Sequence, residues 1–215
     1  KKSYLLRGKA VLSIPNPIDT KVYHPMDQGM ARELLGLPSG KRLLLFGALN
    51  VTDKRKGIDY LIEALRRMEK QDVELVVFGQ VKDDIRGLFP VPIHSMGYLS
   101  DESKIVALYN AVDMFITSSL EENLPNTIME SMACGTPCVG FEIGGIPEMI
   151  DHRVNGYVAN YKDAGDLANG IQWVLEHEDR LALSDACVKK VQENYTEEVV
   201  AKQYTALYEK LLKGE

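Results

Sequence analysis

The feature that most limits how this chain can fold is its rhythm. Short, continuously apolar runs alternate with stretches whose apolar residues recur at helical spacing. The runs are "AVLSIP" (10–15), "RLLLFGAL" (42–49), "VELVVFG" (73–79), "PIHSMG" (92–97), "DMFITSS" (113–119) and "PCVGF" (137–141). They are continuous rather than alternating, which predicts strands covered on both faces, as in a parallel sheet. Between them "GIDYLIEALRRMEK", "DESKIVALYNA" and "PNTIMESMACG" read as helices, with Gly135 and then Pro137 closing the third. The predicted fold class is α/β, a doubly wound parallel sheet. After about residue 160 the strands stop. "DAGDLANGIQWVLE", "DRLALSDACVKKVQEN" and "TEEVVAKQYTALYEKLLK" predict three successive helices, so residues 162–215 form a helical C-terminal segment of one domain spanning 1–215.

Composition narrows the class of partner. With 215 residues, 45% of them hydrophobic and 26% charged, the chain can bury a core without staples. A net charge of −6 gives no broad basic footprint, so nucleic acid is not an expected partner. Cys134, Cys138 and Cys187 form no regular framework, which points to reduced thiols and a cytoplasmic setting. The four histidines are scattered, and no zinc-type ligand spacing occurs, so no metal site is expected. No signal peptide and no apolar run of membrane length is visible. The opening "KKSYLLRGKAVLSIP" and the proline-rich "PNPIDTKVYHP" read as a connection from a region upstream of this domain.

In an open α/β sheet, ligands bind beyond the carboxyl ends of the strands. Here those ends are "GALNVTDKRKG", "GQ", "HSMGYLS" and "TSSLEENLP", polar or glycine-bearing in every case. In a parallel sheet all four lie along one edge. Two familiar nucleotide signatures are missing, G-x-G-x-x-G after a strand and G-x-x-x-x-G-K-[ST]. No D-x-D is present to hold a divalent ion on a diphosphate. An anion bound here would need protein cations and helix N-termini. Lys54, Arg55 and Lys56 precede a helix opening at Gly57, where free amides and the helix dipole favour an anion. A charge run at a helix start is ordinarily just solvated, but cations there oppose the dipole, and an anionic ligand would relieve that conflict.

The second helix start lies in "TSSLEENLPNTIMESMACGTPCVG" (117–140). Pro125 suits the first helical position, leaving the amides of Asn126 and Thr127 free. Glu130 falls on the same helix face as Asn126, and a carboxylate there could accept hydrogen bonds from a vicinal diol such as a ribose. Glu122, eight positions earlier, sits in the loop. Taken separately, either glutamate reads as a solvated surface acid.

Taken together, "SLEENLPNTIMESMACGTPCVGFEIGGIPEMI" resembles the E-x7-E region of retaining glycosyltransferases of the GT-B fold, family 4 (group 1). The resemblance extends in order through "SIPNPIDTKVYHP", "LLLFGALNVTDKRKGIDYLIEAL", "VELVVFG", "MGYLSDESKIVALYNAVDMFITSS" and "NGYVANYKDAGDLANGI". It covers only the Rossmann-like C-terminal half of such enzymes. It implies that Glu122 is the catalytic residue, near the donor sugar and supporting the transferring centre, that Glu130 binds the ribose and that Lys56 binds the diphosphate. Gly47 takes the glycine position of the second predicted strand, "RLLLFGAL", and Tyr98 lies in the loop that frames the base. Asn123 and Leu124 would meet sugar hydroxyls through main-chain groups, and Asn126 and Thr127 would present amides to the phosphates.

Two departures stand out. Many such enzymes carry an arginine where this chain has Ala48, and Arg55 or Lys54 is the expected substitute. Pro125 replaces a common glycine and has no N–H to donate. Gly144, Gly145 and Glu148 in "GGIPE" read as a structural turn into a short helix.

The implied reaction is retaining transfer from a nucleoside-diphosphate sugar, in cell-surface polysaccharide or glycolipid synthesis, with no cofactor and no required metal. The acceptor, a glycan or lipid-linked sugar, would sit on an N-terminal domain outside this chain, and the fragment alone would transfer little. The full-length protein would be cytoplasmic, with peripheral association at the inner membrane face. A nucleotide-sugar epimerase of the same fold, or a degenerate binding module, remains the alternative. Apolar residues of the last helix would pack against the other half.

Overall fold

The computed structural model describes residues 11–50, 53–68, 72–80 and 86–213. Residues 1–10, with Val51, Thr52, Glu69 and Lys70 of the stretches read above, lie outside them. The described residues hold six strands in one parallel sheet: β1 (Arg42–Asn50), β2 (Val73–Gln80), β3 (Ile93–Gly97), β4 (Met114–Thr117), β5 (Cys138–Phe141) and β6 (Gly156–Ala159). Their spatial order is β3-β2-β1-β4-β5-β6, the doubly wound order in which the chain reverses direction between β1 and β4. Eight helices accompany them: α1 (Gln28–Leu35), α2 (Ile58–Arg67), α3 (Glu102–Ala111), α4 (Asn126–Ala133), α5 (Ile146–Met149), α6 (Ala164–Leu175), α7 (Arg180–Asn194) and α8 (Glu197–Lys213).

The continuous apolar strands have the cause their sequence implied. Side chains of β1 alternate between two buried layers, Leu44 and Phe46 on one face, Leu43 and Leu45 on the other. The first layer joins Leu75, Val77, Met114, Ile116, Val139 and Phe141 to the inner faces of α2 and α6. The second joins Val76, Phe115 and Cys138 to α1, α3, α4 and α7. Both faces are therefore dry, and neither leaves a polar alternation in the sequence.

Three local expectations need correction. Residues 11–15 of the first apolar run form no strand, and Val11 and Leu12 are exposed. Pro15 and Pro17 lack the N–H groups a ladder needs, so pairing begins only at Ile18, whose N–H donates to the Tyr195 carbonyl at 2.8 Å. β6 went unread because its four residues open on Gly156; a Cβ there would lie 2.2 Å from the Cys138 carbonyl oxygen. α1 went unread because its inward face carries a buried Arg32 that interrupts the apolar period. Its end signals are ordinary, with Asp27 capping the Met30 amide and Gly36 left-handed after the last turn.

Asp113, just before β4, fixes the opposite rim of the sheet. Its carboxylate accepts the Leu43 N–H at 2.7 Å and pairs with Arg32 at 3.0 Å, Arg42 at 3.3 Å, and Arg180. One buried acid thus ties α1, β1, β4 and α7 together. At the C-terminal end, α6 returns to pack on α2, α7 lies on α4, and α8 extends from α7 with Tyr204, Tyr208, Leu211 and Leu212 exposed. No helix among the described residues is long and apolar enough to cross a membrane.

Candidate active site

Because all six strands are parallel, the loops after β1 and β4 meet at the point where strand order reverses. After β1 the chain enters a 3-10 turn, Lys54–Lys56, whose Arg55 amide bonds the Asp53 carboxylate. It then bends at Gly57, φ +64°, into α2. A Cβ on Gly57 would lie 2.0 Å from the Ser118 carbonyl oxygen. Glycine is therefore required twice, for its left-handed backbone and for the close approach of the β4 loop. Two hydrogen bonds close that approach: Leu120 N–H to the Arg55 carbonyl at 2.7 Å, and Ser118 Oγ to the Lys56 carbonyl at 3.0 Å.

This docking brings Lys56 to Glu122. The Nζ lies 2.5 Å from Glu122 Oε1, and Ser119 Oγ donates to the same oxygen at 2.8 Å. Thr117 Oγ1 in turn donates to Ser119 Oγ at 3.2 Å. A glycine pair, Gly144 and Gly145, holds the far side of the loop. The Gly145 N–H donates to the Asn123 carbonyl at 2.6 Å, and a Cβ on Gly144, φ +59°, would lie 2.0 Å from the Glu122 carbonyl. The "GGIPE" turn is structural, as read, and what it supports is the Glu122 backbone.

Pro125 is not the first helical residue. It is the N-cap of α4, φ −70° and ψ 119°, and Asn126 is the first residue in helical conformation. The cause lies in proline's ring, which fixes φ but permits the extended ψ of a cap. With no side-chain acceptor, Pro125 leaves α4 uncapped. The same holds for α2 at Gly57 and the short α5 at Gly145. By contrast, aspartate side chains cap α1, α3, α6 and α7. The uncapped starts all follow the carboxyl ends of β1, β4 and β5, where amide donors and helix dipoles face one crevice.

Glu130 lies one turn into α4. It is half-buried, and its Oε2 accepts from Tyr109 Oη at 2.8 Å. Burial pushes its carboxyl above the usual value; the Tyr109 hydrogen bond pulls it back, and the Glu102 charge adds to the push. Arg55 turns elsewhere: its guanidinium clasps Asp53 at 2.7 Å and holds that carboxyl down to about 2. Arg55 thus stands beside Lys56 on the crevice rim, exposed and paired within its own turn. Asn123 and Leu124 lie on the loop between Glu122 and α4, with Leu124 packed against the second core layer. Asn126 is exposed and accepts from Asn16 Nδ2 at 3.3 Å, while Thr127 is half-buried.

Gly47 lies against Phe78 in the ladder, where a Cβ would strike the ring at 1.9 Å, and the register shifts between Gly47 and Asn50. That irregularity, spanning Ala48, releases β1 toward the crevice. Tyr98 stands exposed after Gly97, φ +64°, at the outer edge of the same rim. Ser118, Ser119 and Tyr109 were missed as site residues. The small-hydroxyl run 117–119 signalled the first two, whereas Tyr109 is one more apolar residue in an apolar helix. Among the described residues no group of histidines, cysteines and carboxylates could hold a metal ion.

Comparison with known proteins agrees with the fold. The family model described as "Glycosyl transferases group 1" matches residues 40–177. N-acetyl-alpha-D-glucosaminyl L-malate synthase of Bacillus anthracis is 24% identical over 97% of this chain and 56% of its own length. Sucrose-phosphate synthase of Thermosynechococcus elongatus superposes with TM-score 0.80 at 26% identity, over 99% of this chain and 56% of that one. Anabaena HepE, solved in complex with UDP-glucose, superposes with TM-score 0.76 at 22% identity, over 91% of this chain and 56% of that one. The chain spans about half the length of these relatives. It belongs to the group 1 glycosyltransferases and carries the C-terminal, Rossmann-like half of their GT-B fold.

Proposed function

We propose that this domain binds a nucleoside-diphosphate sugar and forms the donor half of a retaining glycosyltransferase. The observation that carries the reading is the meeting of Lys56 and Glu122 between the uncapped starts of α2 and α4. A cation, two sets of free amides and a carboxylate are the groups a diphosphate joined to a sugar requires. Lys56 and the Asn126 and Thr127 amides receive the diphosphate. Glu130 accepts from the ribose hydroxyls, and Tyr98 frames the base. Glu122, with the Asn123 and Leu124 main chain, faces the sugar. HepE, bound to UDP-glucose on the same fold, supports this choice of ligand.

In the transfer, the bond from the anomeric carbon to the diphosphate oxygen breaks, a bond to the acceptor hydroxyl oxygen forms on the same face, and the acceptor's proton passes to the departing diphosphate. The leaving diphosphate gathers charge, and the α4 amides, with Lys56 once it has left Glu122, stabilise it. Those donors take the place of a metal, so chelators should leave binding unchanged. Arg55 supplies a second cation only after leaving Asp53. The acceptor, a glycan or lipid-linked sugar of surface polysaccharide or glycolipid synthesis, belongs to an N-terminal domain, which the exposed face of α8 helps to seat.

Calorimetry of the protein with UDP, GDP and their common sugars, with and without EDTA, tests the reading. Binding of one nucleoside diphosphate, weakened in both Lys56→Ala and Glu130→Ala, is the expected result. Unchanged affinity in both variants overturns it.

A further inference from the structure

The environment of Glu130 is unusual for a carboxylate assigned to bind a ligand. It is half-buried, and no salt bridge reaches it among the described residues. The titratable groups around it are Tyr109 and Glu102 on α3, Tyr23 in the segment before α1, and Cys134 at the end of α4. None is a cation. Tyr23 is engaged with Glu102, and burial with the Glu130 charge raises the Cys134 thiol to about 12, so it stays neutral. The hydrogen bond Glu130 receives from a side chain comes from Tyr109 Oη.

Tyr109 itself is fully buried and rigidly placed. Its ring meets Phe78 edge-on at 6.2 Å and Phe115 at 6.0 Å, and its carbonyl accepts from Thr136 Oγ1 at 2.7 Å. The ring packs without help from the hydroxyl. The hydroxyl therefore has one visible task, to hold Glu130 Oε2, which leaves Oε1 without a side-chain donor among the described residues.

Resting on the donor-binding reading above, we infer that Tyr109 is the positioning residue that keeps Glu130 an oriented, ionised acceptor, and so sets selectivity for a ribose over a 2′-deoxyribose. The physical reason is that a half-buried carboxylate with no cation beside it depends on the hydrogen bonds it receives to favour its charged form. A protonated Glu130 would carry a donor of its own and would lose part of its capacity for a diol. Burial already favours that protonation, and the Tyr109 hydroxyl opposes it.

Tyr109→Phe keeps the ring and removes the hydroxyl. Calorimetry should compare wild type, Tyr109→Phe and Glu130→Gln, using whichever of UDP and GDP binds, alongside its 2′-deoxy counterpart, from pH 6 to pH 9. Wild type should prefer the ribonucleotide, and Glu130→Gln should lose that preference at every pH. In Tyr109→Phe the ribonucleotide should bind roughly tenfold more weakly near pH 7, the scale of a hydrogen bond to a charged group. Its 2′-deoxy counterpart should bind as before, and the ribose preference should return as pH rises. The inference is overturned if Tyr109→Phe keeps the full preference at pH 7. Equal weakening toward both nucleotides, a loss that pH does not restore, or failure to bind either ligand overturns it too, because each marks a structural role. If wild type shows no ribose preference, it is the reading of Glu130 that fails first.

Discussion

Lys56 Nζ lies 2.5 Å from Glu122 Oε1, so the two residues proposed to meet opposite ends of a donor meet each other instead. The contact spans the switch point of the sheet and joins the loop after β1 to the loop after β4. A diphosphate entering the crevice must compete with Glu122 for the lysine, and Glu122 becomes available to the sugar as that exchange occurs.

Two substitutions separate these roles. Lys56→Ala should weaken nucleoside-diphosphate binding roughly tenfold to a hundredfold, the range for losing a charge-assisted hydrogen bond. Glu122→Gln frees the lysine, so nucleotide affinity should hold or rise severalfold while sugar transfer by the full-length enzyme collapses. Calorimetry and a transfer assay measure the pair. Parallel loss of binding in both would show that the ion pair builds the site rather than gating it.

Gly144→Ala tests how the Glu122 loop is supported. The added Cβ would lie 2.0 Å from the Glu122 carbonyl at a residue with φ +59°. We expect a cost of about 1–3 kcal/mol. For a chain of this size that is a fall in Tm of about 2–4 °C per kcal/mol. Nucleoside diphosphate binding should weaken with it. Thermal denaturation beside calorimetry gives both numbers, and wild-type behaviour in each would remove the "GGIPE" turn from the site.

Glu130→Gln should stabilise the fold while damaging the site. Burial raises the carboxyl above its ordinary 4.5, so the folded state binds a proton more readily than the unfolded chain. Its ionisation therefore costs stability, and the cost grows as pH rises from about that ordinary value through the raised one. Below the ordinary value both states are protonated and the cost vanishes. The variant should melt higher than wild type at pH 8 and alike near pH 4. Equal melting at both pH values would show that burial does not penalise this charge.

Asp113→Ala should do the reverse, harming the fold and sparing the site. It strands the buried Arg32 and the half-exposed Arg42 and Arg180 at the amino ends of the strands, the rim opposite the crevice. Removing one partner of a buried ion pair costs about 3–5 kcal/mol. Urea denaturation should record that loss, and the fraction still folded should bind nucleotide with unchanged affinity. A changed affinity would reveal coupling between the two rims.

The sequence by itself determined the layers of this protein. Continuous apolar runs between helical stretches dictate strands buried on both faces, and parallel strands gather their carboxyl-end loops on one rim. "SLEENLP" and "DKRKG" therefore had to share one rim, and it is the strand order, with β4 beside β1, that makes them neighbours. The exceptions were local too. β6 is four residues opening on a glycine, and α1 buries an arginine, so neither displays the apolar period by which elements are read.

Tertiary structure decided the pairings. That Lys56 reaches Glu122, that Arg55 clasps Asp53, and that Tyr109 rather than any cation serves Glu130 depends on distances set by how two loops and two helices dock. No periodicity encodes such distances, because a side chain's partner across 66 residues of sequence is fixed only once the backbone is packed. The glycines at 57 and 144 show where the two levels meet. The sequence displays them as turn signals, and only the fold reveals the carbonyl oxygen, Ser118 or Glu122, that leaves each no room for a side chain.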